Sequence, residues 1–420
     1  MILTPEQQSC KDTIGDYIQN RISTEGIIIN GKAGTGKTTL LADIVNSIPS
    51  YMTVAIATLS HKAKGILVSK IGNKSNVEYF TLASLLNLSL DMETGEFTED
   101  KDKKSKIDKF SVIIIDEASM LNKELLKVIL KKKAWGAKLI FSLDFRQLPP
   151  IGEKESALYK NKKYKTIHLT KRVRQQAGNT ILEYSDIYGD AVLNDDFNIN
   201  PSRISDSNVI HYDNLKQCLE DYSEIIKESI TTLNTSLIKI LCYTNTSKEK
   251  INKYIRETYI DEYAIWYIQK NDVLILNEPY YDLQNSEELV VLESDCITED
   301  GMLAYKVKVK SIFSGKISTI LVLDEDSVAV HNKQCIQLWN QYIRNRKDKK
   351  LLTQYWEYRN KYAKVSHNFC TSVYKSQGST YTNTIVLERD IMSTNIPMKQ
   401  KLQAMYVAIT RSSDKTIIVK

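Results

Sequence analysis

The chain has 420 residues, 42% of them hydrophobic and 26% charged, and its 57 Lys and Arg against 51 Asp and Glu give a formal net charge of +6. This composition is typical of a folded, soluble protein; no run approaches the roughly 18 apolar residues of a membrane span and the first residues lack the features of a signal peptide, so we expect a cytoplasmic location, the host cytoplasm if the protein is viral. The six scattered cysteines, with no C-x-x-C pair and no His at ligand spacing, argue against a disulfide framework and a structural zinc site.

Short apolar runs in the first part of the chain predict buried strands. These runs span residues 26–30, 53–58, 112–115, 138–143 and 167–169. Helical patterns lie between them, and strands that alternate with helices indicate an α/β domain whose parallel sheet binds ligands at the carboxyl ends of its strands. We therefore predict a first α/β core over residues 1–170.

An insertion interrupts this core at about residues 86–109. Gly95 marks the turn of a predicted small hairpin, and a lysine-rich stretch follows at 101–106. The lysines are equally consistent with a solvated loop and with an edge that contacts phosphates.

A second α/β signal covers residues 171–263 and 365–420. Its strands are predicted at 236–243, 384–387 and 416–419, with a helix from 247 to about 259. Residues 264–364 have a different pattern, in which four strand-like runs predict a small, SH3-like β-barrel and residues 327–364 predict charged helices that form a tower. The simplest organisation is therefore a β-barrel and helical module inserted into a second core.

The strongest motif follows the first predicted strand and opens the next helix. It reads Gly31-Lys32-Ala33-Gly34-Thr35-Gly36-Lys37-Thr38, continues with Thr39, and fits G-x-x-x-x-G-K-[ST]. Glycines in such a loop let backbone N–H groups face phosphates at a helix N-terminus, Lys37 neutralises the β- and γ-phosphates, and the Thr38 hydroxyl binds Mg²⁺. The motif predicts a nucleotide site for ATP and Mg²⁺.

A carboxylate pair, Asp116 and Glu117, follows the predicted strand at 112–115. Parallel strands end at one edge of their sheet, so Asp116 is expected beside the phosphate loop, where it can hold Mg²⁺. Glu117 can then orient or deprotonate the attacking water. An acidic helix N-cap is the alternative for an isolated Asp-Glu pair, but the phosphate loop favours catalysis. The two motifs predict nucleotide hydrolysis without saying what it drives.

From Asp116-Glu117-Ala118-Ser119 onward, the motifs resemble those of the superfamily 1 helicases, in the branch that contains RecD and the phage Dda helicases. The resemblance extends from Leu3 to Arg411, with the motifs in the family's order and at similar gaps. It implies two RecA-like parallel-sheet cores with ATP between them, single-stranded DNA across both, and 5′-to-3′ movement. The direction rests on this resemblance alone.

The resemblance also implies roles at the nucleotide. Gln7, in Leu3-Thr4-Pro5-Glu6-Gln7, resembles the residue that reads adenine, and Gln147, in Asp144-Phe145-Arg146-Gln147-Leu148-Pro149-Pro150, resembles the γ-phosphate sensor. Arg174 is preferred to Arg172 as the arginine of the segment that begins Leu169-Thr170, and Arg411 ends Tyr406-Val407-Ala408-Ile409-Thr410-Arg411. Both arginines are expected to complete the site when the cleft closes. Gln377 and Gly378, in Lys375-Ser376-Gln377-Gly378-Ser379-Thr380, are further nucleotide-site candidates.

Candidate contacts to nucleic acid come from the same resemblance and from aromatic patterning. They are Thr58, His61, Thr81, Pro149, Pro150, Asn245, Trp356, His367 and Thr371, with Phe97 as the tip of a pin at the duplex junction. His61 could equally cap a helix, Phe97 could pack on its own domain, and the aromatic cluster around Trp356 could be packing rather than base stacking. Leu143 and Tyr374 stand where the family usually has Gly and His.

The sequence thus predicts an ATP hydrolase coupled to DNA unwinding in phage-type replication, recombination or repair. We expect a monomer that acts on single-stranded DNA and duplex junctions, with single-strand-binding or replication proteins as further candidate partners. A nucleotide-switched or clamp-loader-type ATPase would share Lys37 and Asp116 but has no reason to carry the Gln147 and Gln377 segments. A helicase-nuclease is the other alternative, and no separable segment remains for a nuclease core.

Overall fold

The computed structural model describes residues 3–59, 61–90, 97–99, 105–173, 180–199, 201, 205–260, 267–312, 314–346 and 348–420. The chain divides into two compact units. The first unit comprises Met1–Ile210, Ser376–Thr380 and Ile391–Thr416, and the second comprises His211–Lys375, Tyr381–Asp390 and Ile417–Lys420. In the described ranges, none of the helices combines the length and apolar character that crossing a membrane requires.

The first part of the chain alternates strands and helices. Its strands are β1 (Gly26–Gly31), β2 (Val54–Thr58), β3 (Val77–Thr81), β4 (Leu88–Leu90), β5 (Phe97–Glu99), β6 (Val112–Ile115), β7 (Lys138–Leu143) and β8 (Tyr164–Leu169). Its helices are α1 (Pro5–Ile18), α2 (Lys37–Ser47), α3 (His61–Ile71), α4 (Leu82–Leu86), α5 (Lys123–Lys132) and α6 (Thr180–Asn194), and short 3-10 turns lie at Ile107–Lys109 and Ala118–Met120.

Six of these strands form one parallel sheet in the order β3-β2-β6-β7-β1-β8. Both of its faces are covered. On β6, Ile113 and Ile115 pack into one hydrophobic cluster, whereas Val112 and Ile114 pack into another. Successive side chains of a strand point to opposite faces, which explains why the buried strands are apolar runs without polar alternation. The parallel direction brings the ends of β1, β2, β6 and β7 to one edge of the sheet.

The predicted insertion contains the antiparallel strands β4 and β5, in which Leu90 pairs with Phe97. Gly95 and the rest of the connection between the two strands lie outside the described residues. So does most of the lysine-rich stretch.

The middle of the chain continues the alternation and then changes to consecutive strands. Its elements are β9 (Val209–Tyr212), α7 (Leu215–Asp221), α8 (Ser223–Thr231), β10 (Ile238–Cys242), α9 (Asn245–Tyr259), β11 (Val273–Leu276), β12 (Glu288–Glu299), β13 (Met302–Ser311) and β14 (Ile317–Leu323). The remaining elements are α10 (Glu325–Arg344), α11 (Lys349–Arg359), β15 (Val365–His367), β16 (Cys370–Ser372), α12 (Val373–Ser376), β17 (Tyr381–Leu387), α13 (Glu388–Met392), α14 (Met398–Ile409) and β18 (Ser412–Val419).

Two further sheets are built from these strands. One has the order β16-β10-β17-β18-β9, with β10 parallel to both of its neighbours, and the other has the antiparallel order β14-β13-β12-β11-β15. The α/β fold class is confirmed. That residues 264–364 close into a barrel with a tower stays a prediction, as do the proposed domain boundaries.

Candidate active site

The loop between β1 and α2 has a backbone that favours glycine. Gly34 and Gly36 have φ angles of 84° and 74°, in the left-handed region. A Cβ atom on Gly36 would lie 2.8 Å from Nε2 of Gln7. The Thr35 hydroxyl braces the loop by donating to the carbonyl of Lys32 at 2.9 Å. The loop therefore leads into the N-terminus of α2 in the arrangement that binds phosphate groups.

This loop forms one wall of an open cavity of about 290 Å³. All the residues that line the cavity belong to the first unit. They are Gly34, Thr35, Gly36, Lys37, Thr38, Thr39, Leu67, Lys70, Asp116, Glu117, Gly378, Ser379, Thr380 and Arg411. Among the predicted nucleotide residues, Gln7, Gly31, Ala33 and Gln377 lie outside this lining. Lys70 belongs to none of the predicted motifs, and Ser379 and Thr380 were quoted in the segment of Gln377 and Gly378 without a role of their own.

Lys37 begins α2 and directs its ammonium group back onto the loop. Its Nζ donates to the carbonyl of Gly31 and, at 3.3 Å, to that of Lys32. Burial lowers the pKa of Lys37, while the nearby carboxylates of Asp144 and Asp116 oppose that shift. Among the described residues, this partly buried cation has hydrogen bonds to carbonyl groups, and an added anionic ligand would stabilise it further. Lys37 is thus poised for phosphate.

Asp116 and Glu117 follow β6 and reach the same cavity. Glu117 has a φ angle of 55°, unusual for a residue with a side chain. Burial, followed by the charge of Asp116, raises the pKa of Glu117 to about 7. Burial also raises the pKa of Asp116. A carboxyl group with a pKa near neutrality suits proton transfer, so Glu117 has the environment of a general base.

The few oxygen donors at the cavity suit Mg²⁺, which does not require a full set of protein ligands. Within the ranges that the structure describes, no three or more His, Cys, Asp and Glu side chains lie close enough together to hold a metal. Thr38 and Asp116 both line the cavity, and Asp116 is only 8% exposed. Mg²⁺ typically takes one or two protein oxygens and completes its shell with water and phosphate oxygens. A cation there would offset the burial of the Asp116 carboxylate.

Arg411 also lines the cavity and is 8% exposed. Its guanidinium donates to the carbonyls of Val407 at 3.0 Å and Ser379 at 3.1 Å. Its positive charge acts on Glu117 by lowering that residue's pKa, against the larger effect of burial. Gly378 also abuts Glu117: its φ is 73°, and a Cβ there would lie 3.0 Å from the Glu117 Oε2. The structure therefore brings Lys37, Glu117 and Arg411 together.

The two predicted glutamine sensors make internal contacts. Gln7 Nε2 donates to the carbonyl of Thr35 at 3.0 Å, and its Oε1 accepts from the N–H of Thr4 at 3.0 Å. Gln147 Oε1 lies 3.5 Å from the Ser119 hydroxyl, outside the cavity lining. In Gln377, by contrast, both amide atoms are buried and lack hydrogen bonds among the described residues.

The nucleic-acid candidates of the first unit lie at strand ends and in the loop after β7. Thr58 ends β2, and Thr81 ends β3 and caps α4 by accepting from the N–H of Ser84 at 3.2 Å. Pro149 and Pro150 are buried. His61 begins α3 and Phe97 begins β5, but their side chains lie outside the described part of the molecule. Arg174 lies outside it entirely.

The candidates of the second unit are more dispersed. Asn245 begins α9, next to Thr244, which donates to the Asp390 carboxylate at 2.7 Å, and Thr371 lies on β16. His367 faces the buried Asp272, with 3.4 Å between Nε2 and Oδ2. On α11, Trp356 packs edge-on against Tyr355, with ring centroids 4.6 Å apart.

The two departures from the family motifs are accommodated within their own units. Leu143 is 1% exposed and belongs to a core cluster of the first unit. Tyr374 packs edge-on against Tyr243, with ring centroids 5.9 Å apart. Burial raises the pKa of Tyr374.

Arg172, which the sequence analysis set aside in favour of Arg174, contacts the phosphate loop. Its Nε donates to the carbonyl of Ala33 at 3.3 Å, and its guanidinium pairs with Asp186 at 2.5 Å. Asp186 also pairs with Lys32 at 2.9 Å. These contacts link the phosphate loop to α6. They depend on Asp186, which belongs to none of the motifs identified in the sequence.

Comparison with known proteins identifies similar chains. An AAA domain family matches residues 17–188, and a UvrD-like helicase C-terminal domain family matches residues 367–419. The ATP-dependent DNA helicase dda of Enterobacteria phage T4 is 22% identical over 424 residues, which cover 92% of this chain and 92% of that protein.

Solved structures show the same fold. A Bacteroides Pif1 helicase in complex with ADP-AlF3 and single-stranded DNA aligns with a TM-score of 0.56 and 17% identity, over 100% of this chain and 92% of that one. A Pif1 structure that concerns unwinding at forked double-stranded DNA aligns with a TM-score of 0.58 and 17% identity, over 100% and 92% of the two chains.

Proposed function

We propose, from the membership of this chain in the superfamily 1 helicases of the Dda and Pif1 type, that it is an ATP-dependent DNA helicase. The observation that carries the proposal is the single cavity lined by Lys37, Glu117 and Arg411. These side chains supply what ATP hydrolysis requires: a cation for the phosphates, a base for water and a second cation for the charge that develops in the transition state.

In the proposed hydrolysis, the phosphate loop binds the β- and γ-phosphates through backbone N–H groups and Lys37. Thr38 and Asp116 would hold Mg²⁺, which would supply positive charge to offset that of the phosphates. Glu117, with a pKa near 7, accepts the proton of the attacking water. Arg411 and Arg174 stabilise the charge on the transferred phosphoryl group, Gln147 senses the γ-phosphate, and Gln7 contacts the adenine.

In the proposed motor, single-stranded DNA contacts residues of both units that lie on strands, at helix starts and in the loop after β7. These contacts are Thr58, His61, Thr81, Pro149, Pro150, Asn245, His367 and Thr371, with Trp356 as a base-stacking candidate. Movement is 5′ to 3′, as in the family branch that the motifs resemble. We propose a monomer that acts at duplex junctions during replication, recombination or repair, together with single-strand-binding or replication proteins, in the cytoplasm.

The test is ATP hydrolysis with and without single-stranded DNA, followed by unwinding of duplexes that carry only a 5′ or only a 3′ tail. We expect DNA to raise the ATPase rate and only the 5′-tailed duplex to be unwound. If nucleic acid leaves the hydrolysis rate unchanged, the assignment of the phosphate site would stand, but the protein would be a nucleotide-switched ATPase rather than a helicase. Unwinding of only the 3′-tailed duplex would reverse the proposed direction and leave the motor intact.

Phe97 provides a test of the proposed pin. Phe97→Ala is expected to reduce the unwinding rate by about 5- to 150-fold, the equivalent of the ~1–3 kcal/mol of one base stack. DNA-stimulated ATP hydrolysis should persist, because β5 is separate from the cavity lining. Trp135→Ala is the matched control, since Trp135 is a fully exposed aromatic residue of the first unit. An equal loss of unwinding and hydrolysis in Phe97→Ala would instead indicate a folding role.

A further inference from the structure

The helix that precedes Arg411 has a polar face that is partly exposed at its start and buried towards its end. Residues 402–409 of α14 are all buried, yet polar side chains occur along the helix at positions 399, 400, 403 and 406. Lys399 pairs with Glu155 and Asp195, Gln400 donates to the carbonyl of Glu153, and Gln403 donates to the carbonyl of Gln147. Positions three, four and seven residues apart share one face of a helix. This face therefore docks α14 onto the loop that follows β7.

Tyr406 is the innermost member of this face and is 0% exposed. Its hydroxyl donates to Oδ2 of Asp144 at 2.6 Å and accepts from the N–H of Ala33 at 3.1 Å. Burial and the Asp144 charge raise the pKa of the Tyr406 phenol well above its ordinary value. The phenol consequently keeps its proton, which fixes the direction of both hydrogen bonds.

These two bonds connect the parts of the cavity that must act together. Ala33 belongs to the phosphate loop, and Asp144 follows β7 and acts electrostatically on Lys37. Arg411 is bonded to the last turn of α14 through the carbonyl of Val407. One hydroxyl group thus links the phosphate loop to the helix whose last turn holds Arg411.

We propose that Tyr406 is a positioning residue that sets the placement of Arg411 and Asp144 relative to the phosphate loop. The proposal rests on the proposed ATPase function. A small displacement of charged groups around a transferring phosphoryl group weakens the transition state more than the bound nucleotide. Loss of the hydroxyl should therefore act on kcat rather than on nucleotide affinity.

The test compares Tyr406→Phe with Tyr17→Phe. Tyr17 is an apt control because it is 1% exposed and its hydroxyl also joins a backbone N–H, of Leu139 at 3.1 Å, to an acceptor, the carbonyl of Glu25 at 3.4 Å. Both variants lose one buried hydroxyl, but Tyr17 lies away from the cavity lining. The measurements are kcat and KM for ATP with saturating single-stranded DNA, the affinity for ADP, and amide hydrogen exchange of residues 31–36.

Tyr406→Phe is expected to lower kcat by about 10- to 100-fold, with KM and ADP affinity changed by less than about threefold. Exchange of the loop amides should become faster, whereas Tyr17→Phe should retain the wild-type kcat and loop exchange. A wild-type kcat in Tyr406→Phe, or an equal loss in both variants, would overturn the proposal. A double-mutant cycle with Asp144→Asn should be non-additive, and additive effects would count against the link.

The exchange measurement separates this inference from the proposed function. If the wild-type protein hydrolyses no ATP, the proposed function fails. The loop exchange of the two variants still decides whether Tyr406 holds the phosphate loop, and identical exchange in both would overturn that role.

Discussion

Replacing Lys37 with alanine is expected to reduce ATP hydrolysis by about 10²- to 10³-fold, the effect of removing one preorganised charge donor from a transition state. The partly buried Lys37 donates to loop carbonyls and lies near carboxylates at the start of α2. Lys70 also lines the cavity but extends from α3. The measurement is steady-state phosphate release at saturating ATP and single-stranded DNA.

The matched control for this variant is Lys127→Ala. Lys127 lies on α5, where it forms an exposed pair with Glu124, and its loss should leave hydrolysis unchanged. Binding of single-stranded DNA without nucleotide should survive in both variants, as judged by fluorescence anisotropy of a labelled oligonucleotide. Normal hydrolysis by Lys37→Ala would eliminate the assignment of the phosphate site.

Replacing Glu117 with glutamine is expected to reduce kcat by about 10²- to 10⁴-fold, the usual contribution of a positioned general base. Glutamine keeps the size of the side chain and removes its capacity to accept a proton. Nucleotide binding should therefore persist, and a labelled ATP analogue measures it directly. Loss of nucleotide binding in step with kcat would mean that Glu117 shapes the cavity rather than the chemistry.

The pH dependence of the wild-type rate follows from the same residue. The pKa of Glu117 is raised from 4.5 to about 7, and the base is active only when deprotonated. The value of kcat/KM for ATP, which reports the groups of the free enzyme, should therefore be low at pH 6 and rise through about pH 7. Glu117→Gln should lack this rise, and a wild-type kcat/KM that is constant between pH 6 and 8 would contradict the role.

Deprotonation of Glu117 should raise the hydrolysis rate but lower the stability of the folded protein. Because the folded state raises the pKa of Glu117, folding favours its protonated form, and this contribution to stability is lost as pH rises from about 4.5 through about 7. The charged side chain is therefore unfavourable in the folded protein at pH 8. Glu117→Gln should have a higher Tm than the wild type at pH 8, and a smaller difference at pH 5.

The sequence predicted strands that are apolar along most of their length, because such runs indicate burial by themselves. Val112–Ile115 is apolar throughout, and its predicted and observed bounds agree. Strand β3 was not predicted; it reads Val-Glu-Tyr-Phe-Thr and stands at one end of the sheet order, with Glu78 exposed. This segment forms a strand by pairing with β2. The sequence of the segment alone does not reveal that pairing.

The residues of the candidate site were likewise predictable only in part. The phosphate-loop motif and the carboxylate pair predicted Lys37, Asp116 and Glu117, the resemblance to the helicase family implied Arg411, and the cavity lining contains all four. The sequence could not predict that the amide of Gln7 bonds to the phosphate loop itself, since that depends on how α1 docks. Tyr406 was quoted only as the start of a motif, because a phenol among Ala404, Met405 and Val407 resembles ordinary core packing.

The cavity wall has a consequence for the order in which the protein becomes active during its synthesis. The phosphate loop and the Asp116-Glu117 pair emerge early, but Gly378 and Arg411 are translated only after the intervening second-unit segment His211–Lys375. A ribosome-bound chain that ends before residue 376 therefore contains the phosphate loop without the lining residues Gly378 and Arg411. Such a nascent chain should bind nucleotide weakly and hydrolyse none, so ATP turnover begins only when the segments around 378 and 411 have been added.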